Sequence, residues 1–166
     1  MVLRLERLSL RYPETDEPCI RELSFEVGQG ELILLAGPTG CGKSTLLSAI
    51  SGVIPHFVRA EIEGRIEVDG LTPANVEISQ LARRVAHLFQ NVETQLFTER
   101  VEDEVMLPLE LGPEEIDEGL EEVVARELGL FGLEDRRRDR ISTLSAGYKQ
   151  RVALASMHLS RRRVLL

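Results

Sequence analysis

Gly37-Pro38-Thr39-Gly40-Cys41-Gly42-Lys43-Ser44-Thr45 is the stretch on which the reading of this 166-residue chain turns. It fits the phosphate-binding pattern of a glycine, four free positions and Gly-Lys-Ser/Thr, with Gly37, Gly42, Lys43 and Ser44 at the fixed places. The apolar run Leu32-Ile33-Leu34-Leu35-Ala36 precedes it, and Leu46, Leu47 and Ile50 follow at helical spacing, so the order is strand, glycine loop, helix. Glycines at 37, 40 and 42 let the backbone wrap with its N–H groups inward. The helix starting near Lys43 adds unpaired N–H groups and a positive dipole end, which together make an anion cradle. Lys43 brings a point charge to the outer phosphates of a nucleotide, and the Ser44 hydroxyl is placed to ligate a bridging Mg²⁺.

Outward from this loop, both directions alternate as a β layer does. Leu3 and Leu5, then Leu8, Leu10 and Tyr12, alternate with polar residues, with a parity slip across Glu6-Arg7 that means two short strands or one with a bulge. Leu23, Phe25 and Val27 share one face of a second strand, and Ile62, Ile66 and Val68 run into the hairpin-type turn Asp69-Gly70. The unbroken run Glu31 to Ala36 suits a strand covered on both faces. Gly52 is a candidate left-handed end for the helix from Lys43, and His56 falls in the loop 54–60, as a packing residue or a ligand. Ile78 to Arg84 reads as helix and Val85 to Phe89 as a short strand ending on Gln90, where open α/β sheets place their ligands. Pro113 fits the first turn of a helix carrying Ile116, Leu120, Val123, Val124 and Leu128, and Ser145 can cap a helix carrying Val152, Ala155 and Leu159.

Composition sets the class. Hydrophobic residues at 43% and charged residues at 29% describe an ordinary soluble protein of one domain, and no apolar run nears the ~18 residues of a membrane span. The N-terminus alternates charge and Leu and builds no apolar block, so the expected compartment is the cytoplasm. Cys19 and Cys41 have no metal-ligand spacing and are expected to be free thiols. The net charge of −8 speaks against a general nucleic-acid or anionic-membrane binder. Acidic residues crowd Glu99 to Glu122, while Arg136, Arg137, Arg138 and Arg140, then Arg161 to Arg163, form two basic knots that are solvated faces or docking points.

The segment Leu144-Ser145-Ala146-Gly147-Tyr148, followed by Lys149-Gln150-Arg151, resembles the signature segment of ABC ATPases, usually written Leu-Ser-Gly-Gly-Gln. Gln90 in Phe89-Gln90-Asn91 resembles that family's Q-loop, and Tyr12 in Leu10-Arg11-Tyr12-Pro13 resembles the aromatic that stacks on adenine. With the phosphate loop these landmarks span essentially the whole chain. The text from Gln90 through Gln95-Leu96-Phe97 to Val101-Glu102-Asp103-Glu104-Val105 is most similar to the ATPases of energy-coupling-factor vitamin importers. Gly52-Val53-Ile54-Pro55-His56 and Glu63-Gly64-Arg65 resemble members with two fused ATPase halves.

The resemblance implies an α/β P-loop NTPase of the ABC ATPase type, with an antiparallel β layer, a mainly parallel core sheet and an inserted helical subdomain. The expected divisions are 1–90 for the nucleotide-binding β layer and core, 91–143 for the helical subdomain, and 144–166 for the signature helix and the start of the Walker B strand. It implies ATP and Mg²⁺ as ligands. Tyr12, Gly37, Pro38, Thr39, Gly40, Cys41, Gly42, Lys43, Ser44, Thr45 and Gln90 would contact the nucleotide, Ser44 and Gln90 also the metal. Leu144, Ser145, Ala146 and Gly147 would face the ATP of a second ABC ATPase domain in a head-to-tail dimer. Ala146 and Tyr148 stand where the family usually has Gly and Gln.

The implied function is the ATP-binding subunit of an importer, bound to integral membrane subunits at the inner face of the cell membrane, with no nucleic acid. A soluble relative acting on ribosomes or DNA, and a non-catalytic nucleotide-binding fragment, remain as alternatives. Arg163-Val164-Leu165-Leu166 resembles the start of the Walker B strand, whose Asp and Glu do not occur in these 166 residues. The expectation is therefore a truncated domain that binds nucleotide without turnover, in which Leu32 to Ala36 lacks strand neighbours.

Overall fold

The structure, a computed structural model, describes residues 1–110 and 119–166. Pro113 and Ile116, expected to open a helix, lie outside the described residues. The chain divides into two compact units, Met1–Ala86 with Leu166, and His87–Leu165.

The first unit is built on a three-stranded antiparallel sheet in the order β2-β1-β3, with β1 Leu3–Arg11, β2 Ile20–Val27 and β3 Glu61–Val68. The slip at Glu6-Arg7 is a bulge within one strand: Leu5 pairs with Phe25, Leu8 with Leu23, and both leucines are buried. Arg7 takes a left-handed φ of 45° there and donates its N–H to Ser24 Oγ at 2.8 Å. Opposite the bulge lies Gly64, where a Cβ would come within 2.3 Å of the Arg7 carbonyl oxygen, so only glycine lets β3 approach. Asp69 and Gly70, both at positive φ, make the two-residue turn after β3, closed by Val68 N–H to Leu71 O at 2.7 Å and the reverse bond at 2.9 Å.

Helix α1, Lys43–Ile50, buries Leu46, Ala49 and Ile50 and stops at Ser51 and the left-handed Gly52, as the sequence suggested. Where a loop was expected, Val53–His56 forms a kinked helical turn, α2, interrupted at Ile54, whose φ of −99° and ψ of 126° are extended and whose side chain is buried. His56 is a packing residue in this arrangement, its Nε2 2.9 Å from the Pro73 carbonyl oxygen. After α3, Ile78–Ala82, the strand expected over 85–89 forms only at Val85–Ala86, β4, and Leu166 donates its N–H to the Ala86 carbonyl at 2.9 Å.

The apolar run before the phosphate loop departs from expectation as a strand. Residues 32–36 adopt no strand pairing, and Leu32 is 96% and Leu34 88% exposed. A run of β-forming residues becomes a strand only when neighbours take its N–H and C=O groups, and no described strand lies beside it.

The second unit packs α4 Val101–Glu110, α5 Leu120–Leu130 and α6 Ala146–Leu159 around one core, which includes Val101, Val105, Val124, Leu128, Leu133 and Val152, and ends in β5 Val164–Leu165. The acidic run and the first basic knot answer each other within it. Arg137 bridges Glu102 at 2.6 Å and Glu121 at 3.2 Å, Arg140 meets Glu99 at 3.0 Å, and Arg136 meets Asp139 at 3.0 Å. Ile141 N–H bonds Glu99 O and Val101 N–H bonds Asp139 O, which lays the two charged segments side by side and brings Arg140 to Glu99 and Arg137 to Glu102, whereas Arg136–Asp139 is local.

Candidate functional site

The phosphate loop hangs between an unpaired segment and a firm helix. Gly40 and Gly42 take φ of 84° and 94°, which L-residues with a side chain resist, and Gly42 is the N-cap residue of α1. A Cβ on Gly42 would stand 2.9 Å from the Cys19 carbonyl oxygen, so the glycine also permits the loop to lie against the start of β2. No side chain caps α1, leaving its first N–H groups without a side-chain acceptor, as an anion site requires.

Lys43 curls over its own loop. Its ammonium donates to Gly37 O at 2.9 Å and Pro38 O at 2.8 Å, and lies 3.6 Å from Cys41 Sγ. These two bonds hold the ammonium against the loop's own carbonyls. Pro38, Thr39, Gly40, Cys41 and Ser44 are exposed, so the cradle is open to a ligand. The Ser44 hydroxyl suits Mg²⁺, a cation that takes one or two protein oxygens and fills its remaining positions with substrate phosphates and water. Among the described residues, no three His, Cys, Asp or Glu side chains gather as a metal site.

Tyr12 stands beside this loop in the same unit. Its phenol oxygen is 3.0 Å from Thr45 Oγ1, in the first turn of α1. Sequence reasoning placed both residues at the site and missed the bond between them, since nothing in a spacing of 33 residues signals it.

Gln90 and the segment Leu144 to Gly147 belong to the second unit. Gln90 is exposed, at the head of a loop closed by Gln95 Oε1, which accepts the Phe89 N–H at 2.7 Å. Asn91 Oδ1 caps the following 3₁₀ turn by accepting Glu93 N–H at 3.2 Å. Leu144 is buried in the helical core, whereas Ser145, Ala146 and Gly147 are exposed. Ser145 is the N-cap residue of α6, yet its side chain makes no cap bond, leaving both hydroxyl and helix N–H groups available to an outside anion. Gly147 has nothing within 4 Å of where a Cβ would sit.

Two features of this segment had no sequence signal. Lys149 Nζ reaches Glu93 at 2.5 Å, tying α6 to the turn after Gln90, and the Lys149 bond and charge hold the Glu93 carboxyl below its usual range. Tyr148, where the signature usually has Gln, has two guanidinium groups over its ring, Arg136 at 5.3 Å and Arg151 at 5.4 Å from the ring centre. His158, on the same helix, bonds Glu127 at 2.6 Å.

Residues 20–166 match the family model described as ABC transporter. A putative ABC transporter ATP-binding protein of Methanosarcina acetivorans is 39% identical over 159 residues, which covers 94% of this chain and 24% of that protein. One of Pyrococcus horikoshii is 36% identical over 165 residues, covering 99% of this chain and 58% of that protein. The chain thus spans about a quarter of the first relative and 58% of the second. Among solved structures, CbiO1 from Clostridium perfringens, described as part of the ABC transporter complex CbiONQ, aligns with a TM-score of 0.78 at 25% identity, over 99% of this chain and 63% of that one. The ATP-binding cassette MJ0796, solved as a dimer with ADP and Pi, aligns with a TM-score of 0.80 at 21% identity, over 98% and 72% of the chains, and bears on the fold.

Proposed function

The chain belongs to the ABC transporter family of ATP-binding proteins, and from that premise we propose that it forms the nucleotide-binding part of an importer's motor subunit. In this reading Gly37 to Thr45 cradles the phosphates of ATP, with Lys43 turning its ammonium from Gly37 O and Pro38 O to the outer phosphates. Ser44 and Gln90 serve the Mg²⁺ shell, and Tyr12 takes the adenine. Mg²⁺ supplies charge neutralisation on the phosphates. Ser145 to Gly147 closes on the ATP of a second ATPase domain, in a head-to-tail pair seated on integral membrane subunits. CbiO1, which belongs to a transporter complex, supports the importer reading. Transport-coupled hydrolysis is the activity proposed for the protein, and nucleotide binding that proposed for Gly37 to Thr45.

The observation that carries this reading is the Lys43 ammonium held at 2.9 and 2.8 Å over a loop with two left-handed glycines. Its test is equilibrium titration with a fluorescent ATP analogue in the presence of Mg²⁺. Lys43→Ala should weaken binding about tenfold or more, since bonds to a charged donor contribute about 1.5–3 kcal/mol. Equal affinity of the two proteins would refute the assignment.

A further inference from the structure

Tyr12 and Thr45 enter the nucleotide reading separately, one for the base and one beside the phosphates, yet the structure joins them. Tyr12 follows the last residue of β1, and its backbone is fixed by its own carbonyl, which accepts both the Thr15 N–H at 3.1 Å and the Thr15 hydroxyl at 3.0 Å. The far end of the side chain is fixed as well, because the phenol oxygen lies 3.0 Å from Thr45 Oγ1 across a half-buried contact. An aromatic ring has two rotatable bonds. With its backbone and its hydroxyl both held, the ring has one orientation before any ligand arrives.

Thr45 is two residues past Lys43 in the first turn of α1, so the ring is tied to the element that forms the phosphate cradle. Cys19 reinforces the same corner: its N–H donates to Leu10 O at 2.8 Å, and its carbonyl packs on Gly42. The strand end that carries Tyr12 and the loop that would hold phosphates therefore meet through one hydroxyl pair and one glycine contact.

Building on the nucleotide reading above, we infer that Thr45 is a positioning residue: its hydroxyl holds the Tyr12 phenol so that the ring is pre-set beside the phosphate loop as a platform for the base of a purine nucleoside triphosphate. Base and phosphate recognition are then coupled through one side-chain bond. A ring already oriented loses less freedom when the base stacks, so the bond acts on affinity through pre-organisation and adds no contact to the ligand. Ligands without a base gain nothing from it.

The test compares Mg²⁺-ATP with Mg²⁺-tripolyphosphate, which offers the same phosphate chemistry without a base, by calorimetric titration of the 166-residue chain. Tyr12→Phe keeps the ring and removes the bond. Thr45→Val removes the other partner at nearly the same volume, and Thr45→Ser restores a hydroxyl. The ratio of ATP affinity to tripolyphosphate affinity should fall about threefold to tenfold in both Tyr12→Phe and Thr45→Val, the range expected for one hydrogen bond. The double variant should fall no further than either single one, and Thr45→Ser should recover the ratio. A Tyr12→Phe ratio equal to that of the unaltered chain would overturn the inference, as would losses that multiply in the double variant. An unaltered chain that binds neither ligand would instead overturn the nucleotide reading itself, and this inference with it.

Discussion

Replacing Gly42 by Ala tests the steric account of the phosphate loop, with Gly40→Ala as its internal reference. Both glycines sit at left-handed φ, 94° and 84°, so each alanine incurs a similar backbone cost of about 1–2 kcal/mol. They differ in what a Cβ would meet. At Gly40 nothing lies within 4 Å, whereas at Gly42 the new carbon falls 2.9 Å from the Cys19 carbonyl oxygen and 3.1 Å from Ile20 Cγ1. That carbonyl cannot retreat freely, because Cys19 N–H is bonded to Leu10 O and Ile20 is paired with Leu10 in the sheet. Relief must come from shifting β2 against β1, an overpacking cost of about 1–3 kcal/mol beyond the backbone term. Hydrogen exchange read by mass spectrometry on peptides of β1 and β2 isolates the first unit. Gly42→Ala should exchange about fivefold to 150-fold faster there than Gly40→Ala, the equivalent of that difference. Equal exchange in the two variants would refute the claim that the loop is packed on the start of β2.

The Glu93 carboxyl titrates below its ordinary value near 4.5 because Lys149 bonds it. A depressed folded value means that the tie between α6 and the turn after Gln90 is fully present above the ordinary range and is lost as pH falls through the lowered value. A carboxyl NMR titration should show the shift, and Lys149→Met should abolish it; a shift that persists without Lys149 would assign the cause elsewhere. Leu34→Lys, at a side chain 88% exposed in an unpaired run, should change the unfolding free energy in urea by less than about 0.5 kcal/mol while lowering self-association in light scattering. A loss of several kcal/mol would mean that the run is packed after all.

How much of this was readable in the residues depended on the range of the interaction. The parity slip in β1 is a local property of a period-2 pattern, and it became the bulge at Arg7. Its partner Gly64 is visible only once β3 lies against β1. The loop Gly37 to Thr45 was readable as a pattern because its residue types stand at fixed spacing. Long-range bonds such as Tyr12 to Thr45 in the first unit and Lys149 to Glu93 in the second join residues 33 and 56 apart with no pattern of their own. The run at 32–36 shows the converse. Its apolar character was plain, but strand formation is a property of pairs of segments, and composition alone cannot supply the second. Charge behaved the same way: Arg136 to Arg140 reads as a basic knot, and the return of the chain beside Glu99 and Glu102 pairs Arg140 and Arg137 with them.

The two proposed anion-binding elements are held by different cores, and this decides how each can fail. Gly37 to Thr45 depends on the β1–β3 sheet and on Leu46, Ala49 and Ile50 beneath α1. Ser145 to Gly147 depends on the step from Leu144, 8% exposed in the helical core, to the exposed N-cap of α6. Burying Leu144 fixes where α6 begins, and that placement points its unbonded N–H groups and the Ser145 hydroxyl outward. Substitution of Leu144 would therefore blunt the signature segment while leaving the phosphate loop's own supports intact. Damage around Cys19 and Gly42 would do the reverse. The proposed phosphate cradle and the signature segment each take their rigidity from side chains of their own unit.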